Sequence, residues 1–296
     1  MRSLVVALAG LALAASPLRV VADIATPTQP IGVAYGGGAV WTASFDFGGV
    51  VRIDPKTNRI VARIKTGHGP IGVAFGAGSV WVANWLENTV ARVDPGSGRV
   101  IARIRVTAKG PEGMAFGGGQ LWVSNKSGSV SRIDPASNRQ VALVPVGPEP
   151  RYLTVAGGSI WVTSYYGAAV DRIDPRTNRV VQKIPVDPGP QGIVGVGRSI
   201  WVGSYLGQSL QVLDVRTGKP VKRVAVADGP EGLATDSKSV WVAGNLNGAV
   251  IRVDAKSGRV SGRVLTGVAP RGIAFGSGAA WVANSAGASV SRVAAG

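Results

Sequence analysis

The chain has 296 residues, and 45% of them are hydrophobic, which excludes disorder along the whole chain. It contains 43 glycines and 18 prolines, too many for a mainly helical protein. Because cysteine is absent and His68 is the single histidine, disulfides, thiolate chemistry and multi-histidine metal sites are excluded. The formal charge of +16, from 32 basic and 16 acidic side chains, favours anionic partners.

The N-terminal residues have the features of an export signal. Met1 and Arg2 precede a run of apolar or small residues, 4–15, that is too short to span a bilayer as a helix. The sequence Ala12-Leu13-Ala14 matches the A-x-A pattern of a cleavage site. We therefore expect a signal peptide at residues 1–14, one mature domain at residues 15–296, and a secreted or periplasmic protein without a transmembrane segment.

The rest of the chain consists of one unit repeated seven times. Its most regular feature is a tryptophan about every 40 residues: Trp41, Trp81, Trp122, Trp161, Trp201, Trp241 and Trp281. Each tryptophan lies between a P-x-G-[IV]-A-F-G segment and a V-x-R-[IV]-D-P segment, followed by V-x-A-R-I. In the second repeat this pattern predicts strands over residues 72–76, 79–84, 89–94 and 99–106. Four strands in about 40 residues are typical of a propeller blade, so the sequence predicts an all-β, seven-bladed β-propeller.

The two ends of the chain together complete one blade. The last repeat stops after its third strand, whereas residues 19–24 resemble the fourth strand of the fourth repeat, residues 179–184. We expect this N-terminal strand to pair with the last blade and close the ring, because closure removes an exposed sheet edge. Cleavage after Ala22, at a second candidate site, would delete most of that strand.

The repeats resemble those of the YVTN-type β-propeller proteins and, more distantly, the streptogramin (virginiamycin B) lyase and NHL-type propellers. In the lyase family a histidine in the P-x-G slot and a glutamate three residues after the blade tryptophan surround a magnesium ion. In this chain the P-x-G slot contains no histidine. The residues three after each tryptophan are Ser44, Asn84, Asn125, Ser164, Ser204, Gly244 and Asn284, none of which is a carboxylate.

The residues that interrupt the repeat are the candidate functional residues. Seven aromatic residues lie outside the repeated positions, all of them just after the tryptophan strand or in the P-x-G loop: Phe45, Phe47, Trp85, Tyr152, Tyr165, Tyr166 and Tyr205. These two loops share one end of a propeller and surround the mouth of its central channel. In the P-x-G slot the sequence places Glu112 beside Arg151, and Glu231 beside Arg271, on neighbouring blades.

These residues predict a ligand site at an aromatic-lined channel mouth, with a small molecule, glycan or peptide as its ligand. Its predicted members are Phe45, Trp85, Glu112, Arg151, Tyr152, Tyr165, Tyr166, Gln191, Tyr205, Glu231 and Arg271. The simpler alternative is that the aromatic residues only pack loop against loop and that the two ion pairs only stiffen the mouth.

We expect a monomeric binding or scaffold protein without a catalytic centre or a cofactor. Two alternatives stay open. One is a lyase-like or lactonase-like enzyme with a divalent metal, magnesium or calcium, held at the same mouth by Glu112 and Glu231. The other is a binder of polyanions, because cations recur in the third and fourth strands of the blades and predict a basic outer rim. The third-strand cations are Arg52, Arg92, Arg132, Arg172, Arg252 and Arg292. The fourth-strand cations include Arg59, Arg63, Lys65, Arg99, Arg103 and Arg105.

Overall fold

A computed structural model describes residues 17–295, which form 28 strands arranged as seven four-stranded antiparallel sheets. The predicted signal peptide and Gly296 lie outside the described residues. None of residues 17–295 belongs to a helix of the length and apolarity needed to cross a membrane. The first strand of each sheet contacts the first strand of the next sheet around a closed ring. This arrangement confirms the predicted seven-bladed β-propeller.

The strands follow one another blade by blade, after the closing strand β1 (Leu18–Ala25). Blade I contains β2 (Pro30–Gly36), β3 (Ala39–Ser44), β4 (Gly49–Asp54) and β5 (Arg59–Lys65). Blade II contains β6 (Pro70–Gly76), β7 (Ser79–Asn84), β8 (Thr89–Val93) and β9 (Val100–Arg105). Blade III contains β10 (Pro111–Gly117), β11 (Gln120–Asn125), β12 (Ser129–Asp134) and β13 (Arg139–Pro145). Blade IV contains β14 (Pro150–Ala156), β15 (Ser159–Ser164), β16 (Ala169–Asp174) and β17 (Arg179–Pro185). Blade V contains β18 (Pro190–Val196), β19 (Ser199–Ser204), β20 (Ser209–Asp214) and β21 (Pro220–Ala225). Blade VI contains β22 (Pro230–Thr235), β23 (Ser239–Gly244), β24 (Ala249–Asp254) and β25 (Val260–Leu265). Blade VII contains β26 (Pro270–Gly276), β27 (Ala279–Asn284) and β28 (Ser289–Ala295), completed by β1.

The N-terminal strand closes the ring, as the sequence predicts. β1 pairs antiparallel with β28, from Leu18 opposite Ala295 to Ala25 opposite Ser289. The side chains of Leu18 and Ile24 are buried against blades VI and VII and against blade I, respectively. The first and last residues of the domain therefore stabilise the same blade.

Each repeat tryptophan is buried between two blades. In six of the seven blades an arginine guanidinium makes a cation–π contact with the tryptophan ring. In blade II, Trp81 donates its indole N–H to the Gly76 carbonyl at 3.0 Å, and the Arg92 guanidinium lies 4.9 Å from the centre of the Trp81 ring. Arg92 also donates to the Pro135 carbonyl of the next blade at 2.7 Å. Blade V is the exception, because Val212 occupies the arginine position.

This arrangement corrects part of the predicted basic rim. The fourth-strand cations are exposed as expected, but the six third-strand arginines are half-buried and are committed to contacts within and between blades. The sequence alone could not show this, because four of the arginines donate to a turn of the next blade 43 or 44 residues further along the chain, and Arg292 donates to Pro55 across the closed ring.

Replacement of one of these arginines is expected to weaken the whole domain. The Arg132 guanidinium lies 5.3 Å from the centre of the Trp122 ring, and it donates to the Pro175 carbonyl at 2.8 Å and to Asn178 Oδ1 at 3.1 Å. Loss of these contacts in Arg132→Ala should lower the free energy of unfolding by about 2–3 kcal/mol. Arg139→Ala, which removes an exposed arginine of the same blade, should cost about 0.5 kcal/mol or less. Urea unfolding of both variants checks the difference, and equal losses would contradict it.

Candidate functional site

The loops that form the channel mouth are fixed by one backbone contact that recurs in all seven blades. The N–H of the residue four after the blade tryptophan donates to the carbonyl of the residue just before the P-x-G proline of the same blade; examples are Trp85 to Gly69 at 2.9 Å and Tyr205 to Gly189 at 2.8 Å. Around the mouth these anchored positions are occupied by Phe45, Trp85, Lys126, Tyr165, Tyr205, Asn245 and Ser285. Four of the predicted aromatic residues therefore occupy equivalent places in one ring.

Below this ring the first strands of the blades line the channel. Blade IV differs from the other six blades there, because it has Tyr152 where they have glycine. In six blades the third residue of P-x-G is glycine; a Cβ at Gly72, for example, would overlap the Glu112 carbonyl oxygen of the next blade. Blade IV has Tyr152 at this position, and its side chain lines a channel cavity of about 150 Å³ together with Glu112. Burial, with a smaller contribution from Glu231, raises the pKa of Tyr152 above its usual value. The phenol is therefore protonated at neutral pH and can donate a hydrogen bond.

Both ion pairs predicted in the P-x-G slots are present. Arg151 Nη1 lies 3.2 Å from Glu112 Oε1, and Arg271 Nε lies 2.6 Å from Glu231 Oε1. Both carboxylates are buried. Burial raises the pKa of Glu231, and Arg271 offsets only part of that effect. Gln191, in the P-x-G slot of blade V, is also buried. Its backbone carbonyl accepts a hydrogen bond from Thr163 Oγ1 at 2.8 Å.

The Glu112–Arg151 pair extends to two residues that sequence reasoning missed, Glu149 and Lys126. Arg151 Nη2 pairs with the buried carboxylate of Glu149, and Lys126 Nζ lies 3.6 Å from Glu149 Oε1. Burial would by itself lower the pKa of Arg151, but Glu112 and Glu149 outweigh it and raise that pKa above its usual value. We call Glu112, Lys126, Glu149 and Arg151 the charged network. The sequence contained one signal for Glu149: four other blades have glycine at the equivalent position. Glycine suits this position because the backbone there adopts a positive φ, which is 51° at Glu149.

The aromatic side chains pack around this network on one side of the mouth. The Arg151 guanidinium lies 5.3 Å from the centre of the Tyr165 ring, which meets Tyr166 edge to face at 5.3 Å. Lys126 Nζ lies 5.7 Å from the centre of the Trp85 ring, so Trp85 reaches the network through a cation–π contact. The indole N–H of Trp85 and Nε of Arg151 are buried without a hydrogen-bond partner.

The remaining aromatic residues are more distant from the network. Tyr205 of blade V lies with its Oη 3.4 Å from Asn245 Oδ1 of blade VI, and burial together with Glu231 raises the pKa of Tyr205. Phe47, by contrast, packs under Lys65 of the outer strand, with 4.1 Å between Nζ and the ring centre. Phe47 therefore takes no part in the mouth.

Two adjoining clefts run along the mouth from blade I to blade III. The first has a volume of about 620 Å³ and is lined by Phe45, His68 and Leu86; the second has a volume of about 410 Å³ and is lined by Leu86, Trp85 and Lys126. Both volumes fall within the usual range for small-molecule sites. Leu86 is 56% exposed and joins the two clefts. It follows Trp85 directly, and sequence reasoning missed it although Leu206 and Leu246, also exposed, occupy the same place after the tryptophans of blades V and VI.

The lyase-type magnesium site does not fit this chain. Among residues 17–295 no group of three or more acidic or histidine side chains could hold a metal ion. Where the lyase family has its glutamate, Asn84, Asn125 and Asn284 are fully buried and donate to serine or threonine oxygens of their own blades. The arginines beside Glu112 and Glu231 further oppose a cation.

Solved structures with the same architecture include lyases of this class. No protein-family model and no curated protein matches the chain. A streptogramin B lyase superimposes with a TM-score of 0.82 at 15% identity, covering 93% of this chain and 97% of the lyase. Virginiamycin B lyase from Staphylococcus aureus gives a TM-score of 0.81 at 14% identity, with 94% and 99% covered. A chain of Kuenenia stuttgartiensis hydrazine synthase gives 0.82 at 17%, with 90% and 95% covered. The likeness is one of fold. At this identity it does not assign an activity.

Proposed function

We propose that this protein binds a small molecule at the channel mouth and does not catalyse a reaction there. The observation that carries the proposal is the pair of adjoining clefts, which expose the Trp85 and Phe45 rings beside the charged network. Side chains with an apolar face next to a few placed polar groups are typical of ligand sites.

The chemistry of the mouth indicates the ligand class. Each buried carboxylate of the mouth is already paired with an arginine, so a strongly cationic ligand is not favoured. Aromatic rings and hydrogen-bonding groups together suit an uncharged or zwitterionic molecule with a flat apolar face, such as a glycan or a small peptide. Predicted export, which remains a prediction, would make an extracellular ligand accessible.

Binding should depend on the aromatic residues that line the two clefts. Trp85→Ala combined with Phe45→Ala should weaken binding by about 30-fold or more, because aromatic side chains contribute a large share of the free energy of binding. The control is Val141→Ala, which removes an exposed apolar side chain of the outer strand β13 that lines neither cleft. A thermal-shift screen of sugars, lactones and peptides with all three proteins measures the effect.

Trp85 also provides a direct spectroscopic readout. It is half-buried, whereas the seven repeat tryptophans are buried in the blades, so the difference in emission between the parent and Trp85→Phe isolates its signal. A ligand that shifts the melting temperature should change this difference. If the double variant bound every such ligand as tightly as the parent, the mouth would not be the binding site and the proposal would be wrong.

A further inference from the structure

The end of the propeller opposite the mouth has its own departures from the repeat. Because the strands of each blade are antiparallel, the turn after the first strand and the turn after the third strand both lie at this end. In five blades the second residue of the first turn is glycine: Gly38, Gly78, Gly119, Gly158 and Gly278. Blades V and VI have Arg198 and Lys238 there, and both side chains are exposed. These two blades are neighbours in the ring.

The turns after the third strands of the same two blades are also basic. Arg216 and Lys219 lie in the turn of blade V, and Lys256 and Arg259 lie in the turn of blade VI. All four side chains are exposed. The equivalent positions also hold two cations in blade I (Lys56 and Arg59) and in blade IV (Arg176 and Arg179), and one each in blades II and III (Arg99 and Arg139). Blades V and VI add one further cation each in the first turn, so the positive charge at this end is highest on these two blades.

Short contacts place these cations next to one another. The Val215 N–H donates to the Arg198 carbonyl at 2.9 Å, and the Ala255 N–H donates to the Lys238 carbonyl at 2.9 Å, so the two turns of each blade meet. The exposed Lys222 of the outer strand of blade V donates to the Ser257 carbonyl of blade VI at 2.8 Å and so links the two blades. We call the resulting surface the basic face: Arg198, Arg216, Lys219, Lys222, Lys238, Lys256 and Arg259.

Three carboxylates in the same turns, Asp214, Asp236 and Asp254, offset part of the charge of the basic face, and seven cations against three carboxylates leave it a net charge of about +4. Asp214 accepts the Thr217 N–H at 2.8 Å, Asp236 accepts the Ser239 N–H at 2.6 Å, and Asp254 accepts the Ser257 N–H at 2.7 Å. These carboxylates are therefore used in turn formation. Within residues 17–295, none of the seven cations lies within ion-pair distance of a carboxylate.

We propose that the basic face binds the anionic headgroups of a membrane surface. The cations lie on turns at one end of two adjacent blades, so they form a broad plane rather than a groove, and a plane of phosphate groups matches that shape better than a single polymer chain does. Exposed Val221 and Val260 border the basic face, but cations outnumber these two apolar side chains, so attachment is mainly electrostatic and reversible by salt. Bound in this way, the protein would present its channel mouth away from the membrane.

Sedimentation with lipid vesicles tests the proposal. The chain beginning at residue 15, which contains every strand of the propeller, should bind vesicles of phosphatidylglycerol and phosphatidylcholine and should not bind phosphatidylcholine alone. The test variant is Arg216→Gln/Lys219→Gln/Lys256→Gln/Arg259→Gln. Its matched control, Lys56→Gln/Arg59→Gln/Arg99→Gln/Arg139→Gln, removes four cations from equivalent turns of blades I to III.

The test variant should lose vesicle affinity by about 100-fold or more, since each cation near an anionic surface contributes about five-fold, whereas the control should change far less. Equal losses in both variants would overturn the proposal, because net charge and not the basic face would then explain binding. Binding that survives 0.5 M NaCl would also overturn it. Displacement by a few millimolar inorganic phosphate at constant ionic strength would indicate a site for a free anion, and binding to heparin or an oligonucleotide without vesicle binding would indicate a polymer partner; either result would overturn it.

Discussion

Removal of the closing strand is expected to lower the melting temperature of the protein by about 10 °C or more. A chain that starts at residue 26 lacks β1, which supplies the fourth strand of blade VII. Leu18 and Ile24 are each 8% exposed, and burial of such side chains contributes about 1.5–3 kcal/mol each. Their loss, about 5 kcal/mol together, corresponds to about 10 °C for a domain of this size. The unpaired edge of β28 would in addition promote aggregation.

Point variants within β1 separate the effect of lost side-chain packing from the effect of shortening the chain. Leu18→Ala/Ile24→Ala removes the two buried side chains, whereas Arg19→Gln/Val21→Thr changes two exposed ones and should leave the melting temperature almost unchanged. Differential scanning calorimetry of these chains, each starting at residue 15, gives the comparison. If the chain starting at residue 26 melted with the parent, the contribution of β1 to ring closure would be refuted.

The repeat explains why the fold could be predicted so fully. A tryptophan at the same place in each unit imposes the same inter-blade packing seven times. A strand that is ambiguous in one repeat can therefore be assigned from the other six. Ser79–Asn84 was predicted without error, and the other strands of blade II begin or end within two residues of the prediction. The strand from residues 19–24 was identifiable because it repeats the pattern of β17, although it pairs with a strand near the other end of the chain.

The candidate site was less accessible to the same reasoning. The pairs Glu112–Arg151 and Glu231–Arg271 occupy one slot of neighbouring blades, so the repeat itself placed them side by side. Lys126 lies in another part of the repeat, four residues after Trp122. Its contacts with Glu149 and Trp85 depend on loop conformations that the repeated sequence does not determine. The half-buried state of Arg132 was equally hidden, because it follows from a stacked ring and a turn of the next blade.

The largest single-residue effect is expected at Arg151. Its guanidinium is the only partner shared by Glu112 and Glu149 in the described part of the chain, and those carboxylates are 3% and 8% exposed. In Arg151→Met, Glu112 would lose its ion-pair partner and keep only a longer-range interaction with Arg271, and Glu149 would keep the exposed Lys126. Removing one partner of a buried ion pair costs about 3–5 kcal/mol, because the remaining charge stays in a poorly solvated place. Urea unfolding should show a loss of that size.

Two further variants give this prediction its specificity. Arg223→Met breaks the pair with Asp187, but Arg223 is 55% exposed, so the loss should be about 1 kcal/mol or less. The triple variant Glu112→Gln/Glu149→Gln/Arg151→Met removes the stranded charges together with the cation and should recover most of the lost stability. If the triple variant were as unstable as Arg151→Met, the loss would come from missing packing of the arginine side chain. Recovery would show instead that the charged network holds the mouth together mainly by keeping its buried carboxylates neutralised.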